Sequence, residues 1–388
     1  MQSKDLLFPI EQTLSPDYLR DNFWKCNFTS VKEPLQYWIL LPNTVKPVNL
    51  KKVKHPNLKL NVWGQYCIVE NKPYLEVQML QEYIHYELNP ADWLLKKLAL
   101  MGETVMHLRE IQGKSTGVYL DVLTHKKWLG GEDMISRFTV LKDSGTGQSG
   151  ANILCAKASC LYDDYNAYAL QILQIVGNWD FINKTEWQLA EPLYPFKYDF
   201  IEPVTFYVPA SWDIKFEVEE DKALPHFLFT HDVLGDNKGL INAYFYPLHY
   251  AQNADELLKK NFERLANLNP NIPALKETDT SNPFITAFYG ATGSLKYEEE
   301  SDEAYLFIYI IKTKRGWYYF EQMGPQPNLQ NDFWEVNKRT IELIRDSFNN
   351  PDFKQKEYAN VQAIQSQFSE VVPVEKKSWL IPNWHSGE

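Results

Sequence analysis

Only four cysteines, Cys26, Cys67, Cys155 and Cys160, occur in a chain of 388 residues. None has the C-x-x-C spacing of a zinc or redox site, and so sparse a set excludes a disulfide framework, leaving reduced structural thiols. Positive charge is also scarce: 39 Lys and Arg face 50 Asp and Glu, a net charge of −11, which argues against a nucleic-acid backbone as main partner. The one local exception, "KKVKHPNLKLN" with Lys51, Lys52, Lys54 and Lys59, reads as a solvated loop. There is no run of about 18 apolar residues, so no membrane-spanning helix is expected. The opening "MQSKDLLFPIEQTLSPDYL" lacks the basic n-region and continuous apolar core of a signal peptide, so the expected localisation is cytoplasmic. On that expectation the glycosylation-like "NFT" at Asn27 and "NKT" at Asn183 carry no weight.

Catalytic chemistry is equally thin. The eight histidines form no H-E-x-x-H, and "THDVLGDNKG" around His231 reads as a loop. Ser149 in "GQSGA" misses the G-x-S-x-G elbow by its last residue. No nucleophile, base and orienting acid can be named together, so no catalytic residue, cofactor or metal is assigned. "GTGQSG", Gly145–Gly150, is a literal G-x-G-x-x-G, and a nucleotide-binding enzyme built on it is the alternative function. The strand "SRFTVLKD" before it fits a dinucleotide site. The segment after it, "ANILCAKASCLYDD", lacks a clear helix to bind a pyrophosphate, which favours a hairpin tip. The acidic stretch Glu298–Glu303 lacks the spacing of a calcium loop and reads as a solvated turn.

Aromatics, by contrast, are abundant: 12 Trp, 23 Tyr and 21 Phe make 14% of the chain. Tyr and Trp suit surfaces that are half apolar and half wet, which points to binding. The chain also repeats itself. "NPADWLLKKL" from Asn89 and "NADELLKKNF" from Asn253 both open a capped amphipathic helix; Asn253 and Glu256 form a capping box, and Asn89, Pro90 and Asp92 a variant of it. "EPLQYWILLP" from Glu33 parallels "EPVTFYVP" from Glu202, and "LQILQIVGNWDF" parallels "RTIELIRDSF". Ala91 and Ala254 are 163 positions apart, Glu33 and Glu202 are 169, and Ile172 and Ile341 are 169, an order and spacing that indicate internal duplication.

Each unit is expected to hold a largely antiparallel sheet packed with two helices, an α+β sandwich. The boundaries read as an N-terminal arm (1–20), a first unit (21–185), a linker (186–199), a second unit (200–350) and a C-terminal tail (351–388). In the first unit a long helical region, Asn89 to Glu110, is expected. In the second, strands are expected at Val204–Val208, Asp213–Glu217, Leu240–Tyr246, Phe284–Tyr289, Tyr305–Lys312 and Gly316–Gln322. Within "YLFIYIIK", Leu306, Ile308 and Ile310 alternate with Tyr305, Phe307 and Tyr309. Trp317 and Tyr319 follow at the same period, so these five aromatics are candidates for one partner-binding band. A covering helix or the neighbouring unit is the competing explanation. In the tail, Trp379, Leu380, Ile381 and Trp384 are candidates for docking on a groove of this chain or of a partner.

The order of parts in the second unit resembles the DcrB-like branch of the PsbP-like fold: a proline-closed strand running into "ASW", a capped helix, a hairpin, and a closing helix ending in "DSF". That branch includes the Eag chaperones, which bind transmembrane segments of type VI secretion effectors before export. The resemblance covers residues 200–350, and 25–185 by analogy with the second copy. It implies a cytoplasmic, non-enzymatic chaperone or adaptor that shelters an apolar segment of a protein partner. It also implies a pseudo-dimeric monomer or a homo-oligomer. A structural or immunity protein of a secretion system is a further alternative, and fold analogy alone does not choose among these.

Overall fold

The computed structural model describes the chain from Asp5 to Phe353 except residues 49–53, 56–58, 69–73, 113–117, 128–130, 145–149, 186–188, 218–223, 266–269, 272–273, 281, 297–302 and 352. The tail residues Trp379, Leu380, Ile381 and Trp384, the glycine loop up to Ser149 and most of the acidic tip lie outside the described residues. The chain divides into two compact units, Met1–Glu191 and Pro192–Glu388.

In unit 1, a short helix α1 (Pro16–Asn22) leads into β1 (Phe23–Phe28) and β2 (Tyr37–Pro42), which pair with β11 (Trp179–Phe181) in a small sheet. The main sheet is antiparallel. It uses β3 (Val45–Pro47), β4 (Lys54–His55), β5 (Leu60–Ile68), β6 (Leu75–Ile84), β7 (Thr104–Gln112), β8 (Val118–Lys127), β9 (Asp133–Asp143) and β10 (Ala151–Leu161). Its order is β3-β5-β6-β10-β9-β8-β7, with β4 beside β5. Helix α2 (Pro90–Leu100) connects β6 to β7, and α3 (Tyr165–Gly177) follows β10. The core between α3, the small sheet and the main sheet holds Tyr37, Ile39, Met79, Leu154, Ile172 and Ile175.

Unit 2 repeats this plan. A hairpin of β12 (Leu193–Asp199) and β13 (Pro203–Pro209) precedes the main sheet. That sheet uses β14 (Trp212–Glu217), β15 (His226–Val233), β16 (Asp236–Pro247), β17 (Pro270–Asn271), β18 (Lys276–Glu277), β19 (Ala287–Lys296), β20 (Glu303–Lys312) and β21 (Gly316–Pro325). The order is β14-β15-β16-β21-β20-β19-β17, with β18 also on β19. Helix α4 (Ala254–Leu265) follows β16, and α5 (Phe333–Ser347) follows β21. Matched in chain order, the seven-strand paths of the two main sheets have one order, and α2 and α4 occupy the same step in it.

The caps explain where those helices begin. Asn253 Oδ1 accepts from the N–H of Glu256 at 2.8 Å, and the Glu256 carboxylate accepts from the N–H of Gln252 at 2.8 Å. Asn89 Oδ1 accepts from the N–H of Ala91 at 3.2 Å, with Pro90 in the first turn.

Four expectations are corrected. The helical region from Asn89 ends at Leu100. Gly102, at φ +69°, donates to Ala99 O, and Glu103 donates to Leu98 O, a Schellman stop after which the chain turns into β7. The presumed linker contains β12, paired along its length with β13. His231 lies in β15 rather than a loop: the turn is the two residues Leu234 and Gly235, at φ +54° and +89°, as a primed hairpin requires. Finally, the N-terminal arm belongs to unit 1. Leu6 and Phe8 pack against its core, and the N–H of Leu7 donates to Asn166 Oδ1 at 3.0 Å.

Candidate protein-interaction edge

The five aromatics expected to form one band lie on opposite faces of the sheet. Pairing of β20 with β21 sets Phe307 opposite Gln322 and Tyr309 opposite Phe320, whereas Tyr319 stands opposite Ile310 and Trp317 opposite Lys312. Cross-strand partners share a face, so Trp317 and Tyr319 join the aliphatic side. There they pack with Leu306, Ile308 and Leu257 of α4, and Trp317 Nε1 donates to Ala251 O at 3.2 Å. On the other side α5 covers the row: the Trp334 ring lies 5.7 Å from Tyr305 and 5.9 Å from Phe307. Phe307 is 4% exposed, Trp317 1% and Tyr319 0%. These three side chains are core, so the band offers no open groove.

Unit 1 buries several charged groups, and three carboxylates among them are held by lysines. Lys142 Nζ donates to both oxygens of Glu87, at 2.8 and 2.9 Å, and to Leu88 O. Glu82 accepts from Trp93 Nε1 and pairs with Lys97, both at 2.6 Å. Lys157 and Thr124 donate to Glu103. Charges so bonded tie the strands and the helix together. Among the described residues no cluster of His, Cys, Asp and Glu is arranged to hold a metal. Burial pushes the Cys160 thiol up to about 12 and raises Cys155 and Cys26 as well, so these thiols stay protonated and poorly nucleophilic near neutral pH.

His231 is fully enclosed, its ring stacked on Trp212 at 5.4 Å and edge-on to Phe333 at 6.3 Å. Burial lowers its pKa from 6.5 to about 4, against a small opposing pull from Asp232. A histidine lowered in the folded state stabilises above its unfolded pKa, and that contribution is lost as pH falls from 6.5 towards 4. The shift is worth up to about 3 kcal/mol. The expected result in chemical denaturation is that wild type loses more stability across this window than His231→Phe does. Parallel curves for the two proteins would refute the assignment.

Among the described residues, one sheet edge carries a run of exposed apolar side chains. Strand β7 ends the main sheet of unit 1, pairing with β8 on one side and, among the described residues, with no strand on the other. Val105, Met106, Leu108 and Ile111 are exposed on it, Leu108 at 50%. A bulge sits between Val105 and His107, and from His107 to Gln112 the register with β8 is regular. Such an edge presents unpaired N–H and C=O groups, which native proteins usually blunt. The matching edge of unit 2 is blunted: β17 and β18 have two residues each, and β17 begins with Pro270. The other edge of unit 1, β3, has three residues and ends in Pro47. Sequence reading missed β7 by running the preceding helix through Gly102. The signal was present in the glycine followed by the β-branched pair Thr104–Val105.

Fold and edge together define a two-unit α+β protein with largely antiparallel sheets, one of which ends in a long, apolar, open strand. No family model matches the chain. No curated protein matches it. Among solved structures it is similar to the apo structure of the immunity protein TplEi of the T6SS from Pseudomonas aeruginosa. The identity is 11% and the TM-score 0.21, over 80% of this chain and 95% of that chain. No helix of the described residues is long and apolar enough to cross a membrane.

Proposed function

We propose that this chain is a non-enzymatic binding protein, a cytoplasmic chaperone or adaptor that shelters an apolar segment of a protein partner. The secretion-effector identity of that partner is what the sequence resemblance of the second unit to the Eag chaperones implies. The observation that carries the binding role is the exposure of Val105, Met106, Leu108 and Ile111 along one open edge strand. Each is a large apolar side chain at a place where the backbone itself can bond a partner, so apolar burial and main-chain hydrogen bonds act together. This moves the binding surface from the aromatic row of unit 2 to the edge of unit 1.

The test is solubility. A capped Leu-Val-rich peptide that precipitates alone is mixed with the full chain at equal concentration and centrifuged. Wild type is expected to hold the peptide in the supernatant. The Met106→Lys, Leu108→Lys double variant is expected to lose that protection with little change in thermal midpoint, because both side chains are already in solvent. Equal protection by the variant, or none by wild type, would overturn the proposal.

A further inference from the structure

The chemistry around β7 says more about the occupant than that it is apolar, an inference that rests on the edge being the binding surface. Asp121, on the neighbouring strand β8, is almost fully buried, at 1% exposure, and serves two guanidinium groups. Arg137 donates to it through Nε at 2.7 Å and Nη2 at 2.6 Å. Arg109 of β7 donates to it through Nε at 2.7 Å, with its side chain 33% exposed. One carboxylate between two arginines leaves an excess positive charge at the sheet margin, and Arg109 is the outer of the pair. His107 and Ile111 lie on the same face of β7 as Arg109, while Leu108 and Glu110 lie on the other. The N-terminal arm flanks this cationic face: Phe8 stacks on His107 at 5.5 Å, and Ile10 O accepts from Arg109 Nη1 at 3.0 Å. Leu7 and Ile10 of the arm expose apolar surface, at 55% and 56%.

We infer that β7 receives an extended, amphipathic segment of another chain as an added strand, pairing with His107–Gln112. The added strand carries carboxylates on the side of Arg109 and an apolar residue beside Leu108. The backbone edge selects an extended occupant, because a helix has no free donors or acceptors to offer it. The surplus arginine selects an acidic one, because an added carboxylate there completes a ratio of two guanidiniums to two carboxylates. Main-chain bonds supply the affinity and the charge sets the preference.

Three fluorescein-labelled, capped peptides test this on the full chain by anisotropy: alternating Val and Glu, alternating Val and Lys, and the Glu peptide N-methylated at every residue. At low salt the Glu peptide is expected to bind at least about tenfold more tightly than the Lys peptide, equivalent to ~1.4 kcal/mol. The preference should shrink at high salt. The N-methylated peptide, lacking the donors that strand pairing needs, is expected not to bind. Arg109→Gln is expected to remove the Glu-over-Lys preference and Arg109→Lys to keep it. Arg109→Gln leaves Asp121 bonded to Arg137, so the fold has no reason to fail. Equal binding of the Glu and Lys peptides by wild type, or a preference untouched by Arg109→Gln, overturns the inference. So does undiminished binding of the N-methylated peptide. If the Leu-Val-rich peptide is held in solution while these comparisons fail, the acidic-strand assignment falls and the binding role stands. If neither peptide set binds, both fall. A dimer in sedimentation that Leu108→Lys dissociates makes a second copy the occupant and overturns the assignment to another protein.

Discussion

Lys142→Met is expected to destabilise unit 1 by about 3–5 kcal/mol, the usual cost of stranding one member of a buried ion pair. Lys142 is 2% exposed and Glu87 0%. The lysine holds both Glu87 oxygens, and the same carboxylate accepts from the N–H of Ala190 at 2.8 Å. The N–H of Glu87 in turn donates to Glu191 Oε1 at 2.8 Å. The pair therefore ties the end of β6 and strand β9 to the last residues of unit 1, over a separation of about one hundred positions. Removing the ammonium leaves a fully buried carboxylate without the positive charge that balances it. Glu87→Gln with Lys142→Met together should recover much of the loss, because no uncompensated charge remains. Denaturant unfolding of the three variants checks this; a double variant no better than Lys142→Met alone would show that packing, not charge, sets the cost.

Phe307→Ala is expected to cost about 3–5 kcal/mol of stability in unit 2, as a buried aromatic truncation does. The ring lies within the Tyr305, Tyr309 and Trp334 group, at centroid distances of 4.6, 6.5 and 5.9 Å. Because α5 closes over it, the truncation leaves a cavity rather than a hydrated notch. Calorimetry should show a lower thermal midpoint for the transition that includes unit 2. An unchanged midpoint would mean that α5 does not cover this face in solution.

Much of the architecture was legible because it depends on local rules. The Asn253–Glu256 cap, the proline-closed strand ending at Pro209 and the apolar period of α5 each act within a few residues, and each reads directly from the chain. The repeat followed from these marks, and its counterpart is the shared strand order of the two sheets. What did not read was non-local. Odd-numbered residues of β20 share a face with even-numbered residues of β21, a parity fixed by pairing and invisible in either strand alone. The β15–β16 hairpin hid because its turn places leucine, at Leu234, where asparagine or glycine is the usual signal. Strand β7 hid for a different reason. Its residues Met106, Leu108, Arg109 and Glu110 are good helix formers, and only the conformation of Gly102 separates them from α2. The candidate site was the least legible part, since an open edge is a property of sheet order and not of composition.

The strand order of unit 1 also has a consequence for how the chain emerges during synthesis. Strand β2 is bracketed by β1, its immediate predecessor, and by β11, where Trp179 pairs with Ile39. The central strand β6 likewise waits for β10, with Leu75 beside Cys160. Neither pairing forms until nearly the whole unit has left the ribosome, and contacts so distant in sequence are slow to close. Nascent unit 1 thus spends the time of its own translation with one side of these core strands unpaired. On β6 the intervening polar residues Glu76, Gln78 and Glu82 oppose premature association of that waiting strand.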